Sequence, residues 1–118
     1  MPKTLGELEQ SILFALLELE EDQAYGVAVR DTIQARTGRS LSTGAIYTGL
    51  DRLREQGLID SWIGEPTPER GGRRKRLYRL QPAGLEALDR SVRVFRAISD
   101  GLLGRLSERL DDARGSAS

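Results

Sequence analysis

The sequence contains no cysteine and no histidine. The first absence removes thiol nucleophiles, disulfide frameworks and thiolate metal sites. The second removes imidazole ligands and the common His-based acid/base and triad chemistries. No metal site, cofactor or enzymatic activity is expected, and only carboxylates, Lys, Ser, Thr and Tyr remain for catalysis. No apolar run approaches the ~20 residues needed to cross a bilayer, and Glu7 and Glu9 follow Lys3 too closely for a secretory signal, so a cytoplasmic protein without membrane contact is expected. There is no internal repeat. A length of 118 residues fits one ordinary domain.

Net charge is also lacking, since 18 basic residues balance 18 acidic ones. The balance hides a segregation along the chain. Residues 1–37 hold three basic and seven acidic residues, residues 38–80 hold nine and five, and residues 81–118 hold six of each. Overall neutrality argues against broad adhesion to polyanions, yet a local cationic face in the middle third still steers a phosphate backbone.

Local patterns divide the chain into elements. Thr4 followed by Glu7 matches a capping box, and Leu5, Leu8, Ile12, Leu16 and Leu19 recur at helical steps, which predicts a first helix over about 5–20. The acidic residues 20–22 end it. A second helix is expected from Tyr25 to Thr37, with Gly38 taking the left-handed conformation beyond it. Gly26 at its start either admits another backbone or loosens the first turn. Ser42 is the next N-cap, with Leu41 and Ile46 spaced as a hydrophobic staple, so a third helix begins near Thr43. Ile46, Leu50 and Leu53 face inward and Gly57 stops it. Gly49 within this helix marks a close approach or a weakness of roughly 0.5–1 kcal/mol.

From Leu58 the period changes. Residues 58–63 and 76–80 read as strands, separated by a stretch with Pro66, Pro68, Gly71 and Gly72, which predicts a hairpin with a long tip. Pro82 suits the first position of a last helix that runs to about Leu110, although Gly84 weakens its first turn. Leu85, Leu88, Val92, Phe95, Leu102 and Leu106 form its seam, widened by Ile98, Leu103 and Leu110. This apolar face is more than a lone surface helix hides. Gly101 and Gly104 mark either close helix approach or a bend. The expected division is 1–81 as a winged helix-turn-helix, 82–112 as a dimerisation helix and 113–118 as a disordered tail.

Three helices followed by a hairpin with a charged tip make a winged helix-turn-helix, so the fold class is mainly α with one small β-hairpin. A helix fits the major groove of B-form DNA, and a flanking ribbon tip grips the sugar-phosphate backbone. The segment 64–80 carries Arg70, Arg73, Arg74, Lys75, Arg76 and Arg79 against Glu65 and Glu69. Paired glycines at 71 and 72 let such a loop lie close to phosphates, which a merely solvated charge run does not require. Arg79 reads instead as a strand-surface residue and Trp62 as hairpin core. Thr43 and Gly44 stand where helix N–H groups favour phosphate oxygen, or serve only as first turn. Tyr47 and Thr48 lie on the outward face of the third helix. Tyr47 contacts DNA, or packs as a half-buried aromatic against the wing. Arg52 and Arg54 bind phosphate or base edges, or pair with Asp51 and Glu55.

The strings LGELEQSILFALL, AYGVAVRDTI, LSTGAIYTGLDRLREQGLI and GEPTPERGGRRKRLYRLQPAG, in this order and spacing, resemble the PadR-type winged-helix transcriptional regulators over nearly all of residues 5–84. The chain is similar to the shorter members, with one long final helix. The resemblance implies a homodimeric repressor. Its DNA-binding residues would be Thr43, Gly44, Tyr47, Thr48 and Arg52 on the third helix, with Arg70, Arg73, Arg74, Lys75 and Arg76 on the wing. The final helix would pack on its counterpart and on the partner's first helix, through Leu5, Leu8, Ile12, Leu88, Val92, Phe95, Ile98, Leu102 and Leu106. An apolar effector between subunits, against Phe95, Ile98 and Leu102, fits the same picture, although no polar anchor selects a molecule.

The expected partners are therefore double-stranded DNA, read as a pseudo-palindromic operator, and a second copy of the chain. The rival from another class is a winged-helix protein-interaction module without DNA binding. A hydrolase built on Asp60 and Glu65 lacks an opposing carboxylate at a defensible spacing.

Overall fold

The computed structural model describes residues 5–65 and 74–116. Helix α1 (Glu7–Glu18) starts two residues later than its periodicity suggests. Thr4 lies outside the described residues, and the cap is formed one step along, where the Gly6 N–H donates to Glu9 Oε1 at 2.9 Å. The acidic stretch that ends α1 is a short 3-10 turn, Glu21–Gln23. Helix α2 (Gly26–Thr37) follows, and Gly38 closes it with φ 72°.

Helix α3 (Thr43–Glu55) is fixed by local chemistry at both ends. The Ser42 hydroxyl accepts from the Ala45 N–H at 3.1 Å, and Leu41 packs against the core that holds Ile46. At the far end Gly57 has φ 75°, its N–H donates to Arg54 C=O, and the Leu58 N–H donates to Leu53 C=O. This is a Schellman ending, and it turns the chain directly into the hairpin.

Strands β1 (Ile59–Ile63) and β2 (Arg76–Leu80) pair antiparallel, with Ser61 opposite Tyr78 and Trp62 opposite Leu77. The sheet has an addition that periodicity does not reveal. Tyr25 forms a bridge with Leu77, and the Tyr78 N–H donates to Ala24 C=O at 2.8 Å. The residues just before α2 thus act as a short third edge for the wing.

The core gathers Ile12 and Leu13 from α1, Val29 and Ile33 from α2, Ile46, Leu50 and Leu53 from α3, Ile59 and Tyr78 from the hairpin, and Leu88 from α4. Helix α4 (Pro82–Ser99) begins with Pro at its first position and lies across the α3–β1 turn. Gly84 is what permits this, because a Cβ there would stand 2.1 Å from the carbonyl oxygen of Leu58.

The last helix is not continuous to Leu110. The chain breaks at Asp100–Leu102, with Gly101 at φ 72°, and resumes as α5 (Leu103–Ser116). Left-handed backbone costs a non-glycine residue roughly 1–2 kcal/mol, so the break falls where it is cheapest. Helix α5 reaches Ser116, so residues 113–116 of the expected disordered tail are helical. Every described side chain of α5 from 103 to 115 is exposed. The radius of gyration is 17.8 Å, against about 13 Å for a compact domain of this length, because the end of α4 and α5 project beyond the core. No helix among the described residues is long and apolar enough to cross a membrane.

Candidate nucleic-acid interface

The outward face of α3 is set by its inward one. With Ile46, Leu50 and Leu53 fully buried, the helical repeat turns Thr43, Gly44, Tyr47, Thr48 and Arg52 to solvent, and all five are exposed. Gly44 has open space where a Cβ would be, so the first turn of α3 presents bare backbone. Among the described residues Arg52 has no ion-pair partner, whereas Arg54 lies 3.9 Å from Asp51.

Two neighbours hold this face in place. Arg30 of α2 donates from Nη1 to the Thr43 hydroxyl at 3.1 Å and from Nη2 to Asp31 at 3.2 Å. The second neighbour lies under Tyr47. The Tyr47 ring lies over Gly26, where a Cβ would fall 2.5 Å from Cζ and 2.6 Å from the hydroxyl oxygen. What approaches Gly26 is therefore a side chain of α3, not another backbone. Gly49 is likewise a true close approach, 2.6 Å from Ile12 Cδ1 by the same construction.

On the wing, Arg74, Lys75 and Arg76 are exposed, while Arg70 and Arg73 lie outside the described residues. The Lys75 ammonium stands 4.0 Å from the centroid of the Tyr25 ring, a cation–π contact. Arg76 donates to the Ser61 hydroxyl at 3.0 Å. Arg79 pairs with Asp60 at 3.3 Å and lies over Trp62, so it belongs to the strand surface as its position suggests. Beneath the wing the buried Tyr78 hydroxyl is pushed up in pKa, chiefly by burial, with Arg76 opposing and Asp51 and Tyr47 adding to the rise.

Sequence reasoning missed Arg30 and Tyr25. Arg30 carries no local signal, because its partner is thirteen residues away. Tyr25 stands beside Gly26, whose position at a helix start is the only clue.

The comparisons with known proteins agree with this geometry. Residues 14–90 match the family described as "Transcriptional regulator PadR-like family". The chain belongs to the PadR-like family of transcriptional regulators. A PadR family transcription regulator from Clostridium difficile R20291 is similar to it at 26% identity, over 86% of this chain and 99% of that one, with TM-score 0.64. A PadR-like regulator from Bacillus cereus ATCC 14579 shares 23% identity over 84% and 90%, with TM-score 0.67. PadR of Bacillus subtilis, solved in complex with operator DNA, shares 22% identity over 76% of this chain and 48% of that one, with TM-score 0.62. No curated protein matches the sequence significantly.

The dimer residues need correction. Leu5, Ile12 and Leu88, expected to face a partner, are buried in the core of their own chain. The apolar stripe is there, but the first half of α4 lays it on α1 of the same molecule. Leu8 and Val92 are half-buried. Phe95, Ile98 and Leu106 are exposed by 61%, 70% and 64%, and Leu102 is exposed as well. Phe14 and Leu17 on α1 are also exposed. They sit off the first helix's regular stripe, so periodicity does not single them out.

Proposed function

We propose that this PadR-like protein is a sequence-specific DNA-binding repressor acting in the cytoplasm as a homodimer on a pseudo-palindromic operator. The observation that supports it most is the juxtaposition, through the consecutive residues Tyr25 and Gly26, of the exposed polar face of α3 and the cationic base of the wing. α3 enters the major groove with Thr43, Gly44, Tyr47, Thr48 and Arg52 toward bases and phosphates. The wing, with Arg70, Arg73, Arg74, Lys75 and Arg76, grips the adjacent backbone. The operator-bound Bacillus subtilis relative supports DNA binding as such.

Dimerisation supplies the second reading helix. α5 has no core of its own, and a fourteen-residue helix is marginal in water unless its apolar face is covered. The cover is a second copy, joined through Phe95, Ile98, Leu102 and Leu106 with flanking help from Leu8 and Val92. Phe14 and Leu17 offer the surface on α1 that Leu5 and Ile12 do not. Two copies of α3 then address half-sites about 34–36 Å apart, or a multiple of that. An apolar effector, if the regulator takes one, binds between subunits against Phe95, Ile98 and Leu102.

The test is an electrophoretic shift with the duplex upstream of the protein's own reading frame, competed by unlabelled specific and random duplexes. Preferential competition by the specific duplex supports the reading. Indifference to every duplex at low salt refutes it in favour of a protein-interaction module.

A further inference from the structure

Residues 24–26 touch both halves of the interface at once. Ala24 and Tyr25 hold the wing, through the hydrogen bond from Tyr78 and the bridge to Leu77. The Tyr25 ring carries the Lys75 ammonium at 4.0 Å. The next residue, Gly26, is the floor on which the Tyr47 ring of α3 rests. Gly26 is buried while Tyr47 is 38% exposed, so the ring is supported on one side and open on the other. Its hydroxyl has no hydrogen-bond partner among the described residues, and the seat on Gly26 aims the ring.

We propose that Tyr25 and Gly26 form a positioning element that fixes the wing cation Lys75 and the reading-helix phenol Tyr47 at one separation. Neither residue is required to touch DNA. A cation held on a ring face has given up most of its rotamer freedom before DNA arrives, so less ordering is left to be done on binding. A phenol seated on a bare Cα cannot fall inward, and any side chain at 26 would lift it.

The atoms that a Cβ at 26 would meet are the free end of Tyr47, not backbone. Gly26→Ala is therefore expected to fold normally and to re-aim the ring. The proposal rests on the DNA-binding reading and is tested with the full-length dimer on a specific and a random duplex.

Gly26→Ala should weaken specific binding by about tenfold, the size of one good base contact, and leave random-duplex affinity unchanged. In a Tyr47→Leu background it should have no further effect. Tyr25→Leu should weaken binding to both duplexes by about threefold per half-site, as expected when the Lys75 side chain must be ordered on binding, with the salt slope unchanged because its charge remains, while Tyr25→Phe, which keeps the ring face, retains wild-type affinity. Wild-type specificity in Gly26→Ala, or losses that add fully to those of Tyr47→Leu, would overturn the positioning role of Gly26. Wild-type affinity in Tyr25→Leu, or equal losses in Tyr25→Leu and Tyr25→Phe, would overturn that of Tyr25. Failure of the wild type to bind either duplex would instead sink the DNA-binding reading, and this inference with it.

Discussion

At the scale of single residues, glycines at helix starts carry opposite meanings, and the space around each decides which. Gly84 abuts the Leu58 carbonyl, which cannot swing aside as a side chain can. Gly84→Ala should destabilise the fold by about 1–3 kcal/mol, the usual cost of overpacking. Gly44 faces open space, so Gly44→Ala should stabilise by roughly 0.5–1 kcal/mol through helix propensity while weakening DNA binding by placing a methyl between backbone and phosphate. Denaturant unfolding of the two variants beside a DNA titration checks both signs. A stability gain in Gly84→Ala would contradict the packing described for α4.

The cationic side chains of the wing act at the same scale. Arg73→Ala with Arg74→Ala should weaken binding to all duplexes alike and flatten the salt slope by close to one unit for each phosphate left without its arginine. Tyr47→Phe and Thr43→Ala should act mainly on the specific site. An unchanged slope in the double arginine variant would refute the wing assignment.

At the scale of elements, what was legible in the sequence is what neighbouring residues decide. The Ser42 cap, the α3 stripe and the stop at Gly57 involve partners within five residues, so a local pattern carries them whole. The seat of Tyr47 on Gly26 joins residues twenty-one apart, and the Arg30–Thr43 bond joins residues thirteen apart, so neither leaves a periodic trace. The α4–α5 break lies between these cases. Gly101 marks a place where the helix can end at little cost, but glycine is equally compatible with close helix packing, and the amphipathic pattern continues across it. An apolar stripe shows that a face is covered without showing by whose surface, which is why Ile12 and Leu88 read as partner-facing and yet lie in the chain's own core.

The α1–α2 junction gives an element-level prediction in pH. Arg36 donates two hydrogen bonds to Glu18, each 2.9 Å. The hydrogen bond to Arg36, chiefly, holds the Glu18 carboxyl below its ordinary pKa, against an opposing desolvation, with the Arg36 charge adding a lesser pull. A carboxylate whose folded pKa is depressed contributes stability above its unfolded pKa and loses it as pH falls through the folded value. Glu18→Gln should therefore lower the melting temperature slightly at neutral pH, and the gap from wild type should close as pH falls through the acidic range. The effect is small because both groups are exposed. A gap that widens in acid would contradict the pairing.

At the scale of the whole molecule, one chain closes its own core yet leaves α5 and the end of α4 uncovered. In the proposed homodimer, assembly and DNA reading are coupled. Phe95→Glu with Ile98→Glu should yield a folded monomer that retains weak, salt-sensitive binding to any duplex and loses preference for the operator, because one reading helix spans only one half-site. Light scattering and circular dichroism on this variant separate loss of assembly from loss of fold.

The most direct test of the central claim is a salt-series titration of the wild-type protein against its own upstream duplex and a random duplex, with the stoichiometry of each complex measured. A homodimeric winged-helix regulator should bind the upstream duplex as two protomers with an affinity about 10³-fold or more above random, both affinities falling steeply with salt. Equal affinities for the two duplexes, or one protomer per site with a flat salt response, would contradict it.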